Sequence, residues 1–269
     1  MLNYDFMQRA ILVGIMLSII IPMIGIVMIN RKTSMIGDAL SHSSLSGIAI
    51  GLIFGINPLW TSLVICVVAS FAIEVIRRRF DQYGDMATAI VMSGGIGLAA
   101  VLSDFTPGGA SFESFMFGSI TTVSKQDLSL IACVFVVVVG VSIYFYNALL
   151  YNSINPMMSR LSGVKTDLVD SIFTLLTAIT VAISAKTVGA LMITSLMVVP
   201  VATSLLVSKS YKTSYILSII LSLAFMLTGI TASFYLGVKP GGSIVLIAII
   251  VLILVSIFTM TRQKLLIKK

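Results

Sequence analysis

Ile36-Gly37-Asp38-Ala39-Leu40-Ser41-His42-Ser43-Ser44-Leu45-Ser46-Gly47-Ile48 opens an apolar run that extends to about Ile56, and it carries the only histidine of the chain. Asp38 and His42 stand at i and i+4, so on a helix they share one face with Cβ atoms roughly 6 Å apart. An ionisable side chain near the middle of a bilayer costs ~2.5–3.5 kcal/mol on insertion scales, and by default it marks a pathway or a binding site. Neutral imidazole and carboxylate are also a ligand pair that first-row divalent metals accept. The competing reading is structural: Asp38 caps the helix, and His42 bonds a neighbouring helix.

Composition places that run in a membrane. Of 269 residues, 58% are hydrophobic and 10% charged, and the mean hydropathy is +1.12. A membrane helix needs ~20 mostly apolar residues, and such runs follow one another here with short polar breaks. The expectation is all-α: a polytopic transmembrane bundle forming a single domain over 1–269. Spans are placed at about 9–29, 36–56, 59–76, 87–103, 127–148, 167–185, 188–207, 214–236 and 243–261. Eight spans result if the segments around Lys186 form one broken helix, or if the first lies at the interface. With nine spans and the N-terminus outside, Arg9, Lys125, Lys186 and Lys239 are the only outer members of the 17 basic residues. That satisfies the positive-inside rule and puts the C-terminus, with Arg262 through Lys269, in the cytoplasm. The net charge of +7 is then matched by anionic membrane lipid and calls for no nucleic acid. Cys66 and Cys133 lie inside apolar spans, without CxxC spacing, and read as small hydrophobes.

Small residues say how the helices meet. Ala39, Ser43 and Gly47 form a slim stripe beside Asp38, His42 and Ser46, which suits close packing inside a bundle, with the polar edge toward a cavity. Ser93-Gly94-Gly95 with Gly97 does the same for the fourth span. Pro22 and Pro200 fall within spans, where they free backbone carbonyls. Pro107-Gly108-Gly109 and Pro240-Gly241-Gly242 both follow outward-running spans and read as turns.

Between the fifth and sixth spans, Asn155 can cap a helix that Pro156 begins and Gly163 ends in the left-handed conformation. The segment 152–164 is expected to form a short helix at the cytoplasmic face, with Met157, Met158 and Leu161 offering apolar contacts. It is either an interfacial connector or a handle for a cytoplasmic motor.

Met35-Ile36-Gly37-Asp38-Ala39-Leu40-Ser41-His42, Gly118-Ser119-Ile120 before a span, Ser159-Arg160-Leu161-Ser162-Gly163, and Val188-Gly189 followed by Pro200-Val201-Ala202-Thr203 occur in this order. Together they resemble the membrane permease subunit of bacterial ATP-binding-cassette importers for zinc and manganese. The resemblance implies a fold like the siderophore and vitamin B12 permeases without their first helix. It also implies a homodimer of permeases, two cytoplasmic ATPase subunits and an extracytoplasmic metal-binding protein, in the bacterial cell membrane. It maps Asp38 and His42 onto metal-path ligands, and Met157, Met158, Ser159, Arg160, Leu161 and Gly163 onto the helix that couples to the ATPase. One departure is visible: where the family starts that helix with acids, this chain has Ile154-Asn155-Pro156-Met157.

There is no GxxxxGK[ST], HExxH or GxSxG in the sequence, so neither an ATPase nor an intramembrane hydrolase site is expected. No permanently bound cofactor is expected beyond the transported divalent metal, and zinc, manganese and iron(II) all suit the pair. A proton-coupled metal transporter is the alternative; it is weakened by the scarcity of other intramembrane acids, since Glu74 lies near the inner end and can pair with Arg78 at i+4. A membrane scaffold is a third reading. Asp104 and Glu113 are read as solvated loop carboxylates, not ligands.

Overall fold

A computed structural model describes residues 4–80, 84–107, 109–119, 123–163 and 165–267. In chain order the helices are α1 (Asp5–Asn30), α2 (Met35–Phe54), α3 (Pro58–Arg79), α4 (Gly84–Ser103), α5 (Gly109–Phe117) and α6 (Lys125–Tyr144). They continue as α7 (Tyr146–Ile154), α8 (Pro156–Leu161), α9 (Thr166–Ser184), α10 (Ile193–Val207), α11 (Tyr211–Leu236) and α12 (Pro240–Ile267). A 3-10 turn, Ala190–Met192, leads into α10. Among the described residues nine helices are long and apolar enough to cross a membrane, α10 counted with its leading turn. The segments around Lys186 are separate spans, and α1 is deeply buried rather than interfacial.

The expected spans fall on α1–α4, α6 and α9–α12, with two differences. The fifth was expected to reach 148, but α6 stops at Tyr144 and α7 starts at Tyr146. The break lies where Tyr146 turns onto α11, its ring 5.6 Å edge-on from that of Tyr215. Residues 109–117, read as loop, form α5. Gly108, Ile120, Val164, Lys268 and Lys269, which belong to motifs or charge clusters singled out above, lie outside the described residues.

α2 sits at the centre and packs on α3, α4, α9 and α10. Ala39, Leu40 and Ile48 are fully buried there. Two glycines set how closely its neighbours come. A Cβ on Gly47 would lie 2.6 Å from Ser62 Cα of α3, and one on Gly95 of α4 would lie 2.8 Å from the Ser43 backbone nitrogen. Without a hydrophobic drive between helices in lipid, such backbone contact is what holds them. Gly94 and Gly97 face open space instead, so only one residue of the expected α4 motif packs onto α2. α2 ends at Gly55, whose φ of 66° lets its N–H return to the Gly51 carbonyl. Asn57 then caps α3 by accepting from the Leu59 N–H at 3.0 Å, with Pro58 at the first helical position. On the outer side of α3, Trp60, Val64, Val68, Phe71 and Val75 are exposed at steps of three and four, an apolar stripe suited to lipid or a partner.

Because successive spans alternate in direction, the bundle has two ends. One gathers Arg31, Arg77, Arg78 and α7–α8; the other gathers α5, the Lys186 loop and Lys239.

Candidate metal path and its two polar ends

Asp38 and His42 are half-buried, whereas Ala39, Leu40, Ser41 and Ser43 beside them are buried. The pair therefore occupies the least filled side of α2. No side-chain cap closes the start of α2, so Asp38 does not serve as its cap. At 1.5 Å per residue, Asp38 stands roughly 4–5 Å and His42 roughly 10 Å from the start of the helix. The pair thus lies in the half nearer Arg31 rather than at mid-membrane. Among the described residues no cluster of three or more His, Cys, Asp or Glu side chains forms a cage. One chain therefore offers at most two candidate ligands at this point, too few by themselves to enclose a cation.

The serines of α2 are spacers. Ser41 donates to the Asp38 carbonyl at 2.8 Å, Ser43 to the Ala39 carbonyl at 2.8 Å and Ser46 to the Ser43 carbonyl at 2.7 Å. Ser46 is 1% exposed, so the polar edge ends at His42. Ser44 and Ser62 bond each other at 2.9 Å between α2 and α3, and the Cys66 thiol donates to the Leu40 carbonyl at 3.4 Å. Such bonds keep hydroxyls satisfied while leaving the helix slim.

At the Arg31 end, charged side chains line a cavity of about 360 Å³. Arg31 and Asn152 both donate to Asp170 Oδ1, Asn152 at 2.7 Å. The Arg31 guanidinium also lies 4.9 Å above the Phe173 ring. Burial, then repulsion from Arg77, pulls Arg31 down to about 10, so it stays charged at neutral pH. Glu74 pairs with Arg78 and accepts from the Ser171 hydroxyl, as the i+4 spacing predicted. α8 forms with the expected caps: Asn155 accepts from the Met158 N–H at 3.1 Å, Pro156 opens the helix and Gly163 has φ 81°. Met157, Met158 and Leu161 are 75%, 62% and 75% exposed, whereas Ser159 is buried. Arg160 gives its Nε to Thr166 at 2.8 Å and lies 3.5 Å from Asp167.

The opposite end was not foreseen. Asp127, 1% exposed, pairs with Lys186 at 2.6 Å across a sequence gap of 59 residues. The readable signal was Ser124-x-x-Asp127, which does form a capping box at the start of α6. Glu113, read as a solvated loop acid, sits on α5 and pairs with Lys239. Gly118, Gly189 and Gly241 bring three segments into backbone contact: a Cβ on Gly118 would lie 2.5 Å from the Thr187 carbonyl, and one on Gly241 2.0 Å from the Val188 carbonyl.

Comparison with known proteins agrees with this architecture. A probable metal transport system membrane protein of Treponema pallidum is 33% identical over 96% of this chain and 97% of its own length. The zinc uptake membrane protein ZnuB of Haemophilus influenzae is 28% identical over 96% of this chain and 99% of its own. The manganese import permease ScaB of Streptococcus gordonii is also 28% identical, over 99% and 96%. In fold, the chain matches a solved structure of PsaBC from Streptococcus pneumoniae with a TM-score of 0.84 at 24% identity, covering 94% of this chain and 91% of that one. Residues 3–259 match the model of the ABC 3 transport family. This multi-pass membrane protein belongs to the ABC 3 transport family.

Proposed function

We propose that this chain is the membrane permease of an ATP-driven importer that carries a divalent transition metal, zinc or manganese, into a bacterial cell. The observation that supports it most is the half-buried Asp38–His42 pair on α2, which with α1 is among the most enclosed helices described. The named relatives that transport zinc or manganese supply the cargo class. Two ligands per chain make an incomplete site, and a second copy of the permease would double them. The working assembly is thus a homodimer with two ATPase subunits that hydrolyse ATP, fed by an extracytoplasmic metal-binding protein. The Arg31 end, richer in basic residues, faces the cytoplasm, with the N-terminus outside. The whole chain, 1–269, acts as one transmembrane permease domain.

α8 is the coupling element in this reading. Its apolar side chains Met157, Met158 and Leu161 point away from the bundle, Gly163 turns the chain into α9, and Arg160 ties the segment to Thr166 and Asp167 beside the buried Ser159. Starting with Ile154-Asn155-Pro156-Met157 and no acid, it offers the ATPase an apolar contact.

The test is uptake of Zn²⁺ and Mn²⁺ in cells expressing the importer at matched levels. Asp38→Ala and His42→Ala are each expected to abolish uptake while the protein stays in the membrane. Disabling the ATPase with the proton gradient intact should do the same. Wild-type uptake by both single variants would refute the path assignment, and uptake without the ATPase would refute ATP drive.

A further inference from the structure

We infer that Asp170 is a positioning residue for transport: it links the α7–α8 segment to the turn from which α2, with Asp38 and His42, begins. This rests on the permease reading above and adds the link that such a machine requires.

Three elements meet at one carboxylate. Asp170 lies in the second turn of α9, and its Oδ1 accepts from Asn152 of α7 at 2.7 Å and from Arg31 at the end of α1. Asn152 is 1% exposed, and its own Oδ1 has no partner, so its donated bond fixes where it sits. Arg31 is held further by the Phe173 ring below it. Around Asp170 the start of α9 gathers the other ties. Thr166 and Asp167 hold Arg160 of α8. Ser171 donates to Glu74 of α3.

The other side of the link is short and stiff. Arg31 caps α1, and α2 starts at Met35, four residues later. The turn between them passes through Lys32 at φ 55°, a left-handed conformation unusual for a residue with a Cβ. The Thr33 N–H returns to the Met28 carbonyl at 3.0 Å and the Ile36 N–H to the Thr33 carbonyl at 3.0 Å. A turn tied at both ends does not absorb a displacement of Arg31; it passes it to α2. Asp38 lies in the first turn of that helix. The polar chain α8–α7–Asp170–Arg31–α2 is therefore continuous, and among the described residues Asp170 is the junction at which its two halves share an acceptor. A carboxylate is suited to this, because it accepts from two donors at once and the charged donor strengthens the junction.

The experiment uses the complete importer, with its ATPase and metal-binding protein, reconstituted in liposomes, with Zn²⁺ and Mn²⁺ as probes. Wild-type uptake driven by ATP comes first; if wild type moves neither ion, the permease reading fails before the link is at issue. Asp170→Ala and, separately, Asn152→Ala are then compared for recovered complex, basal ATP hydrolysis, its stimulation by the metal-loaded binding protein, and ions moved per ATP. The expected result is normal recovery and basal hydrolysis, lost stimulation, and at least a tenfold drop in ions moved per ATP. A purely architectural role would lower recovery and every activity together, which would overturn the inference. The swapped pair Arg31→Asp with Asp170→Arg restores an ion pair and offers donors to the free Asn152 Oδ1. It is expected to recover at least half of the transport lost in Asp170→Ala. Ions per ATP within twofold of wild type in Asp170→Ala, or an assembled swap variant with no recovery, would overturn it.

Discussion

Gly95→Ala is a sharp probe of the proposed metal path, because the methyl group lands on α2 next to the proposed ligand His42. Its Cβ would sit 2.8 Å from the Ser43 backbone nitrogen, 2.9 Å from Ser43 Oγ and 3.0 Å from Ser43 Cα. Two of those three atoms are backbone and cannot rotate away, so α2 and α4 must part by about 0.5 Å to reach ordinary contact. Overpacking of this kind costs about 1–3 kcal/mol, offset by ~1 kcal/mol from replacing glycine with alanine in a helix. The fold should lose no more than about 2 kcal/mol. The site is less forgiving: metal–ligand distances hold to about 0.2 Å, and His42 is bonded in sequence to the residue being pushed. A binding penalty of one to two kcal/mol corresponds to a roughly 5–30-fold change. Uptake of Zn²⁺ and Mn²⁺ over a concentration series should show half-saturation shifted upward by that factor, with protein in the membrane near the wild-type level. Gly140→Ala on α6 is the control, since nothing lies within 4 Å of its Cβ position. Unchanged half-saturation in Gly95→Ala would refute the claim that α4 sets the position of His42.

Asp127→Ala strands the largely covered Lys186 ammonium, 14% exposed, and should destabilise the protein by up to about 3–5 kcal/mol, read as a lowered unfolding temperature in detergent. Adding Lys186→Met should recover much of that loss, and a double variant as unstable as the single would refute the ion-pair account. Neutralising Glu113 and Lys239 together should change stability by only ~0–1 kcal/mol, because both side chains are half exposed and solvent screens them. Gly163→Val must hold a β-branched residue at φ 81°, at about 1–2 kcal/mol. Gly163→Val and, separately, Met158→Glu should each abolish transport and ATPase stimulation while leaving Zn²⁺ binding at Asp38 and His42 intact; normal stimulation and uptake in both variants would remove the coupling assignment from α8.

The spans were legible because each is a statement about one stretch of chain: enough consecutive apolar residues, bounded by Gly, Pro, Asn or Ser. The caps of α8 were legible for the same reason, since Asn155, Pro156 and Gly163 act within a few residues of themselves. The Asp38–His42 pair needed only the helical period. What escaped was everything that joins distant stretches. Lys186 looked like a lone outer cation until α6 brought Asp127 against it, and Asp170 carried no signal because its donors lie 18 and 139 residues away. α5 was missed because nine residues around Phe112 and Phe115 are too few for a span and read as loop. Which glycine of Ser93-Gly94-Gly95 faces α2 is likewise decided by the rotation of α4, which small residues on all sides leave ambiguous.

The meeting of Gly118, Gly189 and Gly241 limits how the Lys186 end can move. Side chains normally act as bearings there, sliding past one another through a change of rotamer. Three strands of bare main chain have none to change, so the end of α5, the loop before Ala190 and the first turn of α12 form a pivot pin. Opening at that end must swing whole helices about this pin. Spin labels on α5 and α12 should therefore keep one separation through the transport cycle, while a label on α2 moves against both.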